Sequence, residues 1–233
     1  MFNGKMKALT FSYDDGVTQD IRLIELLNKY GMKATFNINS EMLGKSGSLV
    51  REGVEISHTK INPEDVRRVY EGHEVAAHTL THPLLIKIDD DKEIIRQVEE
   101  DRLNLSKLVG YEVVGFAYPG GQPNYDSRVA ELIKNNTGIK YCRTTVTNHS
   151  FDTQDNLFEF LPTAHHIAEF DNLFKMGEEF INLKTDKPKV FYIWGHSYEF
   201  DIANTWDKFE EFLKMMAFKD DICYCTNKEA LLK

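Results

Sequence analysis

Cysteine is scarce in this sequence: three residues in 233, an odd number. Cys223 and Cys225 stand two apart in an expected strand, where they share a face without C-x-x-C geometry. They read as structural thiols, and such usage is consistent with a reducing compartment. Positive charge is also in deficit, with 28 Lys and Arg against 37 Asp and Glu and a formal net charge of -9. No basic surface is left to neutralise a phosphate backbone, which argues against nucleic acid or an anionic membrane as partner. No window approaches the ~18 consecutive apolar residues of a membrane span. The start, MFNGKMKALTFSYDDG, lacks the apolar stretch and small-residue cleavage site of a signal peptide, so a cytoplasmic location is expected. Neither a repeat, a low-complexity tract nor a Pro/Gly-rich linker divides the chain, and residues 1–233 are expected to form one domain.

What is present is the composition of a globular protein, 42% hydrophobic and 28% charged. Short β-rich runs alternate with longer stretches of helical spacing, the pattern of an α/β fold around a largely parallel sheet. Strands are expected near 7–13, 33–38, 73–78, 113–118, 139–145, 157–162, 189–195 and 221–225. In TQDIRLIELLNKYG, Ile21, Ile24, Leu27 and Tyr30 fall on one helical face and Gly31 supplies the stop. Asn62-Pro63 opens a short helix, and Asp89-Asp90-Asp91 leads a long one ending near Gly110. Acid at that helix start suits the dipole and is read as a solvated cap, not a metal site. Thr226 and Glu229 make a capping box. Seven or eight strands in this length fit a distorted (β/α) barrel, TIM-barrel-like, better than a doubly wound sheet.

Four polar segments fall at the C-terminal ends of different expected strands, the face on which barrels build active sites. TFSYDDG places Asp14 and Asp15 after an apolar strand, an arrangement that turn chemistry alone would also explain. AAHTLTHP carries His78 and His82 four apart, a spacing at which two imidazoles on one helical turn reach a single ion, or two capping histidines. FAYPGG forms a turn at a third strand end. FYIWGHSYEFD delivers Trp194 and His196 to one face, with Glu199 and Asp201 close behind. A lone histidine there is more often a satisfied structural residue than a catalytic one.

Together these segments resemble, over nearly the whole chain, the polysaccharide deacetylase family (carbohydrate esterase family 4, the NodB-homology domain). The family's T-F-D-D-G motif is similar to Thr10–Gly16, which implies Asp14 as catalytic base and Asp15 as metal ligand. Its H-[ST]-x-x-[HD] motif is similar to His78–His82, which implies that both histidines bind the metal. Trp194-Gly195-His196 resembles the motif of the catalytic histidine, with tryptophan for leucine.

The implied activity is removal of N-acetyl or O-acetyl groups from a carbohydrate by a metal-activated water. Asp14 would act as base and His196 as acid, the latter kept protonated by a carboxylate such as Glu199 or Asp201. Zinc is the first expectation for the metal, with cobalt, nickel or iron(II) compatible with the same nitrogen and oxygen donors. The oxyanion would lie against the FAYPGG turn, at the N–H of Gly120, with Tyr118 and Trp194 lining the acyl site. Hydrolysis of a small cyclic amide or imide is an alternative, as is a carbohydrate-binding relative without catalysis.

The chain also departs from the family pattern. Ala117 stands where the third motif has an arginine, and Arg143, on the strand KYCRTT, is the expected substitute. The fourth motif's paired aspartates have only Asp152 and Asp155 as approximate counterparts.

Overall fold

The computed structural model describes residues 1–168 and 170–232. Its strands are β1 (Lys7–Asp14), β2 (Ala34–Ile38), β3 (Ser48–Arg51), β4 (Val54–Ser57), β5 (Glu74–Ala77), β6 (Gly115–Ala117), β7 (Tyr141–Arg143), β8 (Ala164–His165), β9 (Lys189–Gly195) and β10 (Ile222–Tyr224). Its helices are α1 (Asp20–Lys29), α2 (Val66–Val69), α3 (Asp91–Val109), α4 (Ser127–Asn136), α5 (Phe170–Asn182), α6 (Glu199–Ala203), α7 (Trp206–Met216) and α8 (Asn227–Leu231). Among the described residues no helix is long and apolar enough to cross a membrane.

The parallel sheet runs β7-β6-β5-β2-β1-β9-β8, with β10 paired to β1. One side of β1 is shared: Lys7–Leu9 pair with β10 and Phe11–Asp14 with β2. The sheet curls into the expected distorted (β/α) barrel. Its two edges are joined by a single irregular segment. Phe160 exchanges backbone hydrogen bonds with β7, donating to Cys142 O at 3.0 Å and accepting from Thr144 N at 2.9 Å. Six residues on, His166 N donates to Trp194 O of β9 at 2.9 Å.

Alternation along the strands sorts the two faces. Leu9, Phe11 and Tyr13 of β1 join Phe36, Val75, Phe116, Phe191 and Ile193 in the main core beneath the helices. On the inner face lie Ala8, Thr10, Ser12 and Asp14, every one buried. This face is polar because its groups satisfy one another: Thr35 Oγ1 donates to Glu74 Oε2 at 2.7 Å, and Tyr141 Oη to Glu74 Oε1 at 2.9 Å. Thr10 Oγ1 donates to Asn227 Oδ1 at 2.8 Å in the same way.

Three expectations are corrected. Residues 157–162 do not form a strand: Leu157–Glu159 make a 3-10 turn, capped by Asn156, whose side chain accepts from Phe158 N. Pro162 lacks the N–H a ladder needs, so pairing with β9 begins only afterwards. The antiparallel β3–β4 hairpin was not foreseen, because its turn is Glu52-Gly53, both at positive φ, without an Asn-Gly or Asp-Gly signal. In α1 the buried face is Leu23, Ile24 and Leu27, while Ile21 is 43% exposed. Entry to α1 is set by Asp20, buried and held by Tyr70 and Ser197, which rotates Ile21 outward. Elsewhere, Asp90 caps α3 by accepting from Lys92 N, Gly110 ends it in the left-handed region, and Thr226 with Glu229 forms the capping box. Pro63 opens a 3-10 turn that leads into α2. Cys142, Cys223 and Cys225 are free and buried.

The barrel rim leaves no slack at Gly195, where an added Cβ would sit 2.0 Å from the His166 ring. Gly195→Ala is expected to cost at least about 1–3 kcal/mol through forced displacement of that ring. A urea midpoint equal to that of the parent protein would show that the ring has room to move.

Candidate active site

The four segments at the strand ends do converge on one cleft of about 290 Å³, lined among others by Asp14, Asp15, His78, His82, Gly120, Trp194 and His196. A larger cavity of about 510 Å³, lined by Met1, Phe2, Asn3 and Cys223, gathers no comparable set of titratable groups. The titratable groups gather in the smaller one, which makes it the candidate site.

Asp14 ends β1 on its inner face. Its Oδ1 accepts from Arg143 Nη2 at 2.6 Å and from Asn37 Nδ2 at 2.8 Å, and Arg143 is fully buried. Burial opposes its charge, but the adjacent guanidinium, helped by His78 and His196, holds Asp14 below the ordinary carboxylate range. Arg143 in turn lies over the Trp194 ring, 4.5 Å from its centroid. The structure thus brings Arg143 from the end of β7 onto Asp14, as the sequence suggested. Asn37, paired with Asp14 in the β1–β2 register, was missed; its signal was the inward alternation Thr35, Asn37 along β2.

Asp15 turns away from Asp14 because its backbone is left-handed, φ 85°. Its Oδ1 lies 3.6 Å from His82 Nε2 and 4.0 Å from His78 Nε2. Two residues outside any motif support it. His58 Nε2 is 3.1 Å from Oδ2, and Lys60 Nζ donates to the Asp15 carbonyl at 2.8 Å. Burial notwithstanding, the His58 hydrogen bond with the charges of His196, Lys60 and His78 keeps Asp15 well below the usual range.

His78 and His82 meet, but not on a helical turn. Their segment is a loop in which Thr79 and His82 both have positive φ, 70° and 62°. Non-glycine residues in that region cost on the order of 1–3 kcal/mol each and persist only where the surroundings impose them. Here Asn39 Nδ2 donates to Thr79 O at 2.9 Å, Leu80 N donates to Gln97 O at 3.0 Å, and buried Asp101 accepts from His78 N at 2.9 Å.

The donor set fits a divalent ion. His78 Nδ1 donates to Ala117 O at 2.8 Å, which leaves Nε2 as a bare lone pair, buried and without a hydrogen-bond partner among the described residues. Burial pushes the His78 imidazole down to about 4, so it is neutral, as a ligand must be. Tetrahedral ligands at ~2.0–2.1 Å stand roughly 3.3 Å apart, close to the separations seen here.

His196 lies across the cleft, its Nε2 4.0 Å from Asp14 Oδ2 and its Nδ1 3.3 Å from Glu199 Oε1. Burial disfavours the charged ring, but Glu199, with Asp15 and Asp14, raises it to about 9. Of the two carboxylates considered, Glu199 is the partner; Asp201 instead accepts from Trp206 Nε1 at 2.7 Å. Asp152 pairs with Lys189 at the surface, and neither it nor Asp155 lines the cleft. Tyr118 is a wall and not a donor, since its N–H goes to Arg143 O at 3.0 Å and its hydroxyl to Phe158 O at 2.8 Å. The Gly120 N–H has no partner among the described residues. His165 and His166, which surround Glu199, were also missed, although the His-His dipeptide was visible.

The family profile described as Polysaccharide deacetylase matches residues 2–142. Among solved structures, a family 4 carbohydrate esterase from Streptomyces lividans in complex with acetate has 16% identity and TM-score 0.58, over 94% of this chain and 91% of that one. A peptidoglycan deacetylase from Bacillus subtilis has 16% identity and TM-score 0.55, over 97% and 90%. A Streptococcus pyogenes deacetylase in complex with acetate has 18% identity and TM-score 0.48, over 59% of this chain and 55% of that one. No curated protein matches the chain in sequence.

Asp14 and Arg143 are each other's compensation in a buried setting. Asp14→Ala and Arg143→Ala are each expected to cost about 3–5 kcal/mol by leaving one charge unpaired. The double variant should cost clearly less than their sum in denaturant unfolding; additivity within about 0.5 kcal/mol would mean that the two do not interact.

Proposed function

Because the chain belongs to the polysaccharide deacetylase family, we propose that it is a metal-dependent hydrolase that removes acetyl groups from an acetylated carbohydrate, in the first place from the nitrogen of an amino sugar. In this reading residues 1–233 act as one catalytic domain. The observation that carries it is the bare, buried Nε2 of His78 aimed at Asp15 and His82, with Asp14 and His196 on either side. Asp15, His78 and His82 would hold a divalent ion, zinc first and cobalt, nickel or iron(II) also suited, which when bound would supply Lewis-acid polarisation and lower the pKa of water.

The chain's own groups do the rest. Asp14 takes a proton from the attacking water; Arg143 and Asn37 keep it ionised and oriented, with some loss of basicity. His196, protonated near neutral pH, delivers a proton to the leaving nitrogen. The free N–H of Gly120 is the donor available to the developing oxyanion. Trp194, packed against Arg143 and edge-on to His165, narrows the acyl end of the cleft to small groups such as acetyl. Acetate in the S. lividans esterase and peptidoglycan as the target of the B. subtilis enzyme are in keeping with this substrate class. A base, an acid and a vacant-lone-pair ligand set together have no use in a protein that only binds sugar.

His78→Ala and His82→Ala are expected to lose most of the tightly held metal that elemental analysis finds in the parent protein, since two ligands cannot replace three. Retention of a full equivalent in both would remove the ligand assignment. Asp14→Asn, checked for metal content and folding, is expected to lower deacetylation about 10²–10⁴-fold, the range for loss of a general base. Near-normal turnover would assign the base to another group.

A further inference from the structure

A second group of two histidines and one carboxylate lies beside the first: His165, His166 and Glu199, with ligand atoms within 4.8 Å of one another. Composition suggests a second metal centre, but the other ring nitrogens decide against it. His165 Nδ1 accepts from Ile167 N at 3.3 Å and from Ala168 N at 3.1 Å, so its proton sits on Nε2, toward Glu199. His166 Nε2 lies 2.7 Å from Glu199 Oε2, an ionised carboxylate that can only accept, which places the proton on Nε2 and leaves Nδ1 to accept from the Tyr13 hydroxyl 3.4 Å away. This is the reverse of His78, whose Nδ1 donates and whose Nε2 is bare. Two Nε2–H groups face the carboxylate, His166 as a hydrogen bond and His165 at ion-pair range, and together they clamp it.

The clamp is asymmetric. Glu199 Oε2 receives His166 Nε2 at 2.7 Å, the His196 backbone N at 2.9 Å and His165 Nε2 at 3.4 Å. Oε1 is left to the His196 ring as an ion-pair contact, 3.3 Å from an Nδ1 that makes no hydrogen bond among the described residues. With Oε2 saturated, the carboxylate has one orientation, and Oε1 meets only the imidazole that faces the cleft. The absence of a Cβ on Gly195 is what lets the His166 ring reach this position.

We infer that His165 and His166 are positioning residues for the acid step: as fixed Nε2–H donors they lock Glu199 so that its free oxygen holds His196 with Nε2–H directed at the leaving group. The inference rests on the proposed role of His196. During the step the proton leaves His196 Nε2 for the departing nitrogen as the carbon–nitrogen bond breaks, while Nδ1 keeps its proton in ion-pair contact with Glu199. Only leaving groups that need this proton depend on the clamp.

The test compares His165→Leu, His166→Leu, His165→Gln and His166→Gln on two substrates, an N-acetylglucosamine oligomer and 4-nitrophenyl acetate, whose leaving group departs without protonation. The leucine variants are expected to lose about 10- to 100-fold in kcat on the oligomer, within the span of a general acid's contribution. Their ester turnover should be little changed, and glutamine, which restores an N–H at the same reach, should recover most of the oligomer activity. Equal losses on both substrates, no loss on either, or no recovery with glutamine would overturn the inference. Ring-nitrogen NMR of the parent protein gives a reading independent of turnover. Protons on Nε2 of both histidines are expected, and a proton on Nδ1 of either would overturn the clamp. If the parent protein turned over neither substrate, the functional proposal would fail while these spectra still decided the clamp.

Discussion

The ion pair between Arg143 and Asp14 is the constraint to which the barrel interior answers. Two full charges taken from water cost several kcal/mol each, and their attraction offsets this only where geometry is good and remaining hydrogen-bond capacity is used. The geometry is good, since the guanidinium reaches both carboxylate oxygens, Asn37 adds a donor and Trp194 covers the cation, while Arg143 Nε is left without a hydrogen-bond partner among the described residues. The pair also fixes neighbouring strand ends relative to each other. Arg143 reaches across from β7, so the β1, β2 and β7 rims cannot shift independently without breaking it. Beneath it, Glu74, Tyr141, Thr35, Thr10 and Asn227 continue a satisfied polar network down the inner face. A packed apolar lumen would be easier to fill, but it could not present a charged carboxylate at the rim.

Above the pair, the backbone sorts adjacent residues into different tasks. Asp14 continues the strand and faces Arg143, while left-handed geometry at Asp15 swings the next carboxylate toward the two imidazoles. The same device recurs at Thr79 and His82, where it folds a four-residue spacing into one contact without a helix. These conformations are locally unfavourable. They are held by donors and acceptors from other elements, chiefly Asn39, Gln97 and Asp101.

Hydrogen bonds to the far ring nitrogens then separate histidines that look alike in composition. The Ala117 carbonyl accepts from His78 Nδ1–H and leaves Nε2 a bare lone pair. Backbone N–H groups at His165 and the ionised Glu199 carboxylate at His166 do the opposite and leave donors. Glu199 thereby becomes the carboxylate beside His196.

Sequence alone determined the alternation of strands and helices, the barrel class, the capped ends of α3 and α8, and the residues Asp14, Asp15, His78, His82 and His196 as a set. These are local or near-local signals, carried by periodicity, end-capping chemistry and short motifs. It also pointed to Arg143, since a charge had to replace the one missing at Ala117. Only the tertiary structure decided which carboxylate serves His196, that His58, Lys60, Asn37 and Asp101 support the site, and that 157–162 closes the barrel without being a strand. The supporting contacts join residues 23 to 129 apart, from His78 and Asp101 to Asp14 and Arg143, and Glu199, though near His196 in the chain, is selected by His166, 33 residues away. A residue's partner across a barrel is fixed by sheet register and loop path, and neither leaves a periodic trace in the chain.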